Sequence, residues 1–353
     1  MRRLPLSLLF AAAAALFIVP ARVTADLVWT PQDGWKVEGG ALAGLAGEEG
    51  RHALDSMNRA RAAEESRNSG SALKLYTSVA KKYPNSVFAP EALYRAGRIQ
   101  QQNQQYYKAF ATFQQLVSRY PSSEKFNQVI GEQYRIAADL FAGKRTRIWG
   151  WLPGFKNRER ALEYFETIVA TAPYSDYAPL SLMNAARGYK QVGETEAAID
   201  ALDRMINTYP RSVLTPDAYL KIADTHASLV DGPYYDQAST TQAVTYYEDY
   251  MILFPGDAGM AQAENGLAKM KTVLAQSKLT IADYYYKYRR NYKAAKVFYN
   301  EAITVYPDSA VATQARAKLV DVDAKLEAQA AAAAGQPAPK PVEPKKKKRL
   351  WLF

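Results

Sequence analysis

The sequence contains no cysteine and only two histidines, His52 and His226, among its 353 residues. Without cysteine it offers no disulfide, no thiolate nucleophile and no cysteine-bound zinc. It also lacks an HExxH metal motif, a GxSxG nucleophile elbow and a glycine-rich phosphate loop. We therefore predict that the protein is not an enzyme and uses no cofactor or metal.

Long apolar runs are also absent, apart from the sixteen residues Leu4–Val19. Two arginines precede this run, Pro20 ends it, and small residues lie before Asp26, which is typical of a cleavable export signal over residues 1–25. An uncleaved membrane anchor is the alternative, but a membrane span needs about 20 residues. We favour cleavage and expect a mature periplasmic chain.

The net charge of +10 is unevenly distributed. The signal holds three positive residues, and the segment after residue 328 holds six positive residues and one negative. The remaining body is nearly balanced, whereas nucleic-acid binding needs a basic face on the folded part. We therefore expect no nucleic-acid partner.

A helix-turn-helix pattern between Pro179 and Pro210 recurs along the chain. In this unit two short helical patterns flank Gly193, and Pro210 ends the second because proline lacks the amide proton and clashes with the preceding turn. Six prolines end such units, each with an alanine twelve residues before it and an aromatic residue or leucine eight before it. The prolines are Pro84, Pro121, Pro173, Pro210, Pro255 and Pro307, and the pairs are Ala72/Tyr76, Ala109/Phe113, Ala161/Phe165, Ala198/Leu202, Ala243/Tyr247 and Ala295/Tyr299.

This spacing is typical of tetratricopeptide repeats, which stack because one unit cannot bury its own apolar face. It predicts an all-α solenoid of about five to six repeats over residues 51–327, with a capping C-terminal helix from Val311. A non-repeat segment, 26–50, precedes the solenoid, and a disordered Ala/Pro/Lys tail, 328–353, follows it. His226 takes the place of Tyr189 in its repeat, so we predict a packed helix residue there.

Segment 26–50 allows two interpretations. Asp33-Gly34 is a turn signal between two Trp-containing runs, which favours a small hairpin. The alternative is an irregular lead-in whose tryptophans cover the first repeat. We favour the irregular lead-in, because a lone hairpin is marginally stable in water.

Two basic-aromatic segments are candidates for membrane or partner contact. The first is the insertion 144–158 in the third repeat, with Trp149 and Trp151, which suits a membrane surface or a partner groove unless it folds back on the solenoid. The second is the tail, where each positive charge is worth about 1 kcal/mol near an anionic surface, unless the tail is only a disordered solubilising extension. Its candidate residues are Lys345, Lys346, Lys347, Lys348, Arg349, Trp351 and Phe353.

The inner face of the solenoid is the candidate for peptide binding. In each repeat the second, fifth, ninth and twelfth places of the first helix line the concave side. Long polar side chains with a tyrosine suit an extended peptide, although such residues are also common on a merely solvated face. The candidates are Glu91, Tyr94, Arg98, Gln101, Arg135, Asp139, Met183, Arg187 and Lys190.

Repeats behind an export signal, with Tyr-Pro-x-Ser at four repeat ends, resemble the BamD family of outer-membrane assembly factors. The resemblance covers about residues 50–325 and is strongest over 267–320. It implies a scaffold of the outer-membrane β-barrel assembly machinery, held at the inner face of the outer membrane. The N-terminal repeats would contact unfolded outer-membrane proteins, and the C-terminal repeats would contact the barrel-bearing insertase and accessory subunits.

One departure concerns the membrane anchor. Family members carry a lipidated cysteine at the cleavage site, whereas Asp26 stands there in this sequence. We expect the tail or the 144–158 insertion to make the contact instead. A different class of function, a periplasmic adaptor that coordinates cell-wall synthesis or cell division, is the alternative.

Overall fold

The computed structural model describes residues 26–38, 48–148, 152–235, 237–333 and 335. Thirteen α-helices and two small two-stranded sheets make up the regular structure of these residues. The all-α prediction is therefore confirmed. The helices are α1 (Glu48–Glu65), α2 (Ser69–Lys82), α3 (Phe88–Gln102), α4 (Tyr106–Arg119), α5 (Phe126–Phe141), α6 (Arg158–Thr171), α7 (Tyr177–Val192), α8 (Thr195–Thr208), α9 (Thr215–Ser228), α10 (Ala238–Leu253), α11 (Met260–Lys287), α12 (Tyr292–Val305) and α13 (Ala310–Ala333).

Each repeat is built around the alanine and the large residue that the sequence pattern singled out. All twelve of these side chains are buried. The close approach that they need is visible at Gly97, where an added Cβ would lie 2.4 Å from the Phe113 ring. A small residue on the first helix therefore makes room for a large one on the second.

The Tyr-Pro-x-Ser ends join one repeat to the next. The Tyr120 hydroxyl donates to the Pro84 carbonyl oxygen at 2.6 Å, and the Tyr209 hydroxyl donates to that of Pro173 at the same distance. The serine amide then turns the chain by donating to the tyrosine carbonyl, as Ser123 does at 3.0 Å. The motif thus satisfies backbone groups that a helix end leaves without partners.

The chain divides into two compact units. Unit 1 contains the described residues up to Glu132 together with those of 145–155. Unit 2 contains Gln133–Lys144 and the described residues from Lys156 onward. Unit 1 carries the first two repeats, and unit 2 carries the last three and the capping helix.

The lead-in is a hairpin, so the preference for an irregular segment was wrong. Strands β1 (Asp26–Thr30) and β2 (Gly34–Glu38) pair antiparallel, with Trp29 opposite Trp35. The backbone amide of Trp35 donates to Asn58 Oδ1 on α1 at 2.7 Å, and the Trp35 side chain is buried. The hairpin is ordered because it packs on α1, and a lone hairpin lacks such support.

The insertion of the third repeat lies between α5 and α6, as the repeat spacing predicted. Strands β3 (Arg147–Ile148) and β4 (Leu152–Pro153) pair within it. In unit 1 the Arg147 amide and the Thr146 hydroxyl both donate to the Gln104 carbonyl oxygen, at 2.8 and 3.1 Å. The insertion is therefore attached to the α3–α4 turn, while the Phe155 side chain remains 89% exposed.

The last repeat is closed by the predicted capping helix. Lys318 on α13 donates to both carboxylate oxygens of Asp283 on α11, at 2.7 and 2.6 Å. The helix continues to Ala333, past the predicted solenoid boundary at residue 327. Among the described residues, no helix is long and apolar enough to cross a membrane.

Candidate functional site

In unit 1, three candidate side chains on α3 contact the first turns of α5 or the residue just before it. Glu91 and Tyr94 are both buried. The Tyr94 hydroxyl accepts from Gln128 Nε2 at 2.7 Å, and Arg98 forms an ion pair with the buried Glu132. Sequence reasoning expected these side chains to be open to a ligand. Glu91 and Tyr94 instead hold this part of the unit together.

Glu91 lies between two cations. Arg95 Nε donates to Glu91 Oε1 at 2.7 Å, and Lys125 Nζ lies 3.7 Å from Oε2. Burial lowers the pKa of Arg95, but the attraction of Glu91 outweighs it and the net pKa is raised. The Lys125 ammonium also lies 5.4 Å from the Tyr94 ring centroid. These charges compensate one another locally and need no external ligand.

A cavity of about 330 Å³ remains open beside this network. The hairpin contributes Leu27, α3 contributes Pro90 and Glu91, and the segment before α5 contributes Lys125. The lining combines apolar and charged groups.

In unit 2, the candidate side chains are more exposed. Arg135 is exposed on α5, and Asp139 pairs with Lys144 at 2.9 Å. Met183 is buried, whereas Arg187 and Lys190 are exposed on α7. Of these three candidates on α7, the two cations, and not Met183, are therefore accessible to solvent.

Arg187, Lys190 and Lys221 line a cavity of about 350 Å³ that we call the cationic groove. α7 contributes Arg187 and Lys190, and α9 contributes Lys221 and Asp224. The floor includes Ala186 and Leu202, which are both buried. Three cations and one carboxylate around an apolar floor give the groove a net positive lining.

A second cavity, of about 490 Å³, adjoins the cationic groove at Asp224. α11 contributes Gln262, Asn265 and Lys269 to its lining. Gly266 on the same helix is required there, because a Cβ would lie 2.4 Å from the Tyr247 ring. The two cavities together follow the first helices of the fourth, fifth and sixth repeats.

Buried tyrosine-carboxylate pairs are a feature that sequence reasoning missed. The hydroxyls of Tyr76, Tyr247 and Tyr299 are 2.8, 2.5 and 2.5 Å from carboxylate oxygens. Burial raises the pKa of all three phenols, and the neighbouring carboxylate raises it further. The sequence could have indicated these pairs, because in these repeats the residue eight positions before the terminating proline is tyrosine and not phenylalanine or leucine. The accepting carboxylates are Glu64, Asp224 and Asp283.

His226 is a packed helix residue, as predicted. Its ring stacks on that of Tyr246 with centroids 5.6 Å apart. Burial lowers its pKa, although the charges of Asp203 and Glu196 act in the opposite direction. Among the described residues, no group of three His, Cys, Asp or Glu side chains is placed to hold a metal ion.

The remaining candidates lie outside the described residues. They are Trp149, Trp151, Lys345, Lys346, Lys347, Lys348, Arg349, Trp351 and Phe353, together with the export signal at 1–25. Their proposed contacts rest on the sequence alone.

Two protein families match the chain, in separate segments. The outer membrane lipoprotein family YfiO matches residues 155–336, more than half of the chain. A tetratricopeptide repeat family matches residues 56–86 and 91–123. The first match falls almost entirely in unit 2, and the second falls in unit 1.

A curated relative is the outer membrane protein assembly factor BamD of Xylella fastidiosa (strain 9a5c). It is 23% identical over 165 residues, which cover 44% of this chain. The match spans 56% of the relative's own length.

Solved structures of repeat proteins are also similar. A tetratricopeptide repeat protein from Parabacteroides merdae is 12% identical, with 75% of this chain and 97% of that chain covered and a TM-score of 0.31. MamA from Desulfovibrio magneticus RS-1 is 15% identical, with 60% and 98% covered and a TM-score of 0.30. At such low TM-scores neither likeness supports a conclusion about partners.

Proposed function

This chain belongs to the YfiO family of outer membrane lipoproteins, and from that membership we propose that it is a non-catalytic scaffold of outer-membrane β-barrel assembly. In this role it binds unfolded outer-membrane proteins and partner subunits of the assembly machinery. The curated relative that it matches is an outer membrane protein assembly factor, which supports the same role.

The observation that carries the proposal is the family match over unit 2 together with the accessible inner side chains there. Arg187 and Lys190 line an open cavity on the first helix of the fourth repeat. Stacked repeats present a continuous row of such helices, which suits an extended polypeptide better than a compact ligand. Unit 1 offers the smaller cavity beside Glu91 for the same purpose.

We place the protein in the periplasm, at the inner face of the outer membrane, after export through a cleaved signal. None of the 353 residues is a cysteine. In the proposal, the basic-aromatic tail and the loop with Trp149 and Trp151 supply the membrane or partner contact.

Depletion in the native host tests this role. We expect the amount of folded outer-membrane barrels to fall as the protein is depleted, because their assembly loses its scaffold. Gentle solubilisation of the envelope should also recover the protein together with a large β-barrel subunit. Re-expression of the wild-type chain is the control and should restore the folded barrels.

Normal barrel levels after depletion, together with recovery of cell-wall synthases as partners, would contradict the proposal and favour a cell-wall adaptor. A binding assay with a urea-unfolded barrel protein tests the same role directly. The full chain should bind it on dilution from urea and should not bind the folded barrel.

A further inference from the structure

On the basis of the proposed function, we propose that the cationic groove of unit 2 binds an acidic, extended segment of a partner polypeptide. The carboxylates of that segment pair with Arg187, Lys190 and Lys221. The segment runs across the first helices of neighbouring repeats, and its chain does not end in the groove.

The cations of the groove are available for a partner. Within the described residues, Lys190 has no ion pair. Lys221 pairs with Asp217 at 2.8 Å, but both side chains are about half exposed, and such surface pairs contribute little. A carboxylate that enters the groove therefore competes with water and a weak surface pair.

Arg187 is already oriented. Its guanidinium donates to Asn184 Oδ1 at 2.6 Å and lies 4.9 Å from the Phe141 ring centroid. These contacts use only part of a group that carries five N–H donors. Because the side chain is held before a ligand arrives, less conformational entropy is lost when a carboxylate binds.

Asp224 contributes one negative charge against the three cations of the groove lining, so it offsets them only in part. Oδ1 accepts from the Tyr247 hydroxyl at 2.5 Å, and Oδ2 accepts from Gln262 Nε2 at 2.8 Å. These bonds hold the Asp224 carboxylate toward α10 and α11, so the groove keeps a net positive lining on the side of Arg187, Lys190 and Lys221.

A through-running segment fits better than a chain end. The groove continues past Asp224 into the second cavity, where Lys269 is exposed. Packed helices lie about 8–10 Å apart, and an extended chain advances about 3.3 Å per residue. Acidic residues spaced along one segment therefore reach the cations of both cavities, while the apolar floor at Ala186 and Leu202 contacts its aliphatic atoms.

The test measures the binding of labelled peptides to the full chain by fluorescence anisotropy. One peptide of about twelve residues alternates Glu and Ser, which is long enough to cross both cavities. The comparison peptide alternates Gln and Ser. We expect the Glu peptide to bind at least about tenfold more tightly, and its affinity to fall as salt is raised.

The decisive variant is Lys190→Glu/Lys221→Glu, in which both changed side chains are exposed. It should weaken binding of the Glu peptide by at least about tenfold. The matched control is Lys293→Glu/Lys325→Glu, which makes the same charge change at exposed lysines of α12 and α13 and should bind within about twofold of wild type. Circular dichroism of both variants checks that the fold is retained.

Equal affinity for the Glu and Gln peptides would overturn the inference. An equal loss of affinity for the Glu peptide in the two variants would overturn it as well. The affinity would then depend on the total charge of the protein and not on the charges of the groove. Binding of the urea-unfolded barrel protein, measured on the same preparations, separates this result from failure of the scaffold role. If that binding persists while the peptides are not distinguished, only the acidic-segment inference fails.

Discussion

His226 shows at the scale of one residue how packing makes stability depend on pH. Burial against Tyr246 holds its pKa below the ordinary value of 6.5. The unfolded chain therefore takes up a proton at this residue more readily than the folded chain does. Stability is retained above the unfolded pKa and falls as the pH drops below it.

We therefore expect His226→Phe to reduce the loss of stability between pH 7.5 and 5.5. The phenyl ring keeps the stacking on Tyr246 and cannot be protonated. Urea unfolding at the two pH values measures the effect, and His52→Gln, at an exposed position of α1, is the control. An identical pH dependence in wild type and His226→Phe would contradict this account.

Gly97 is a second residue whose environment decides the result of a substitution. Its missing Cβ leaves room for the Phe113 ring, and an alanine would approach that ring to 2.4 Å. We expect Gly97→Ala to lower the free energy of unfolding by about 1–3 kcal/mol, the usual cost of overpacking.

The fourth repeat supplies the compensating change. There Ala186 and Leu202 occupy the places of Gly97 and Phe113, and both are buried. The double variant Gly97→Ala/Phe113→Leu should therefore recover part of the lost stability. If the double variant is no more stable than Gly97→Ala alone, the paired-size explanation fails.

At the scale of the element, the repeat ends depend on one hydroxyl each. Tyr120 and Tyr209 each donate to the proline carbonyl of the preceding repeat. We expect Tyr120→Phe and Tyr209→Phe each to cost about 0.5–1.5 kcal/mol of unfolding free energy. The control is Tyr83→Phe, since no such bond from Tyr83 is seen among the described residues. A loss of the same size at Tyr83 would contradict the proposed role of the hydroxyl.

The elements themselves follow closely from the sequence. The terminating prolines and the alanine-aromatic pairs depend only on local backbone and volume requirements, so they predicted the repeats and the place of the insertion correctly. The fifth repeat ends in Phe254-Pro255-Gly256-Asp257, where Asp257 replaces the serine. Its amide donates to the Phe254 carbonyl at 3.1 Å, as the serine amide does in the other repeats.

What the sequence did not predict depends on contacts between distant residues. The hairpin is ordered by Asn58 on α1, which the local pattern of 26–38 does not contain. Glu91 looked like an open groove residue, but Arg95 and Lys125 surround it after folding. The candidate peptide-binding residues were chosen by their position in the repeat alone. That position does not determine which other side chains contact them after folding.

At the scale of the whole molecule, the family matches follow the division into compact units. The repeat family matches within unit 1, and the match to the outer membrane lipoprotein family begins at residue 155, the last residue of unit 1. In an array of repeats each repeat contacts only the neighbouring repeats, so a local defect is expected to weaken nearby helices first.

Hydrogen exchange of the full chain tests whether the units open independently. We expect Gly97→Ala to increase amide exchange in α1–α4 and to leave α9–α13 unchanged, because the overpacked contact with Phe113 belongs to unit 1. The reciprocal variant is Gly266→Ala, whose added Cβ meets the Tyr247 ring in unit 2 and should increase exchange in α9–α12 alone. Faster exchange throughout the chain in both variants would contradict independence, because a defect in either unit would then open the whole molecule as a single cooperative body.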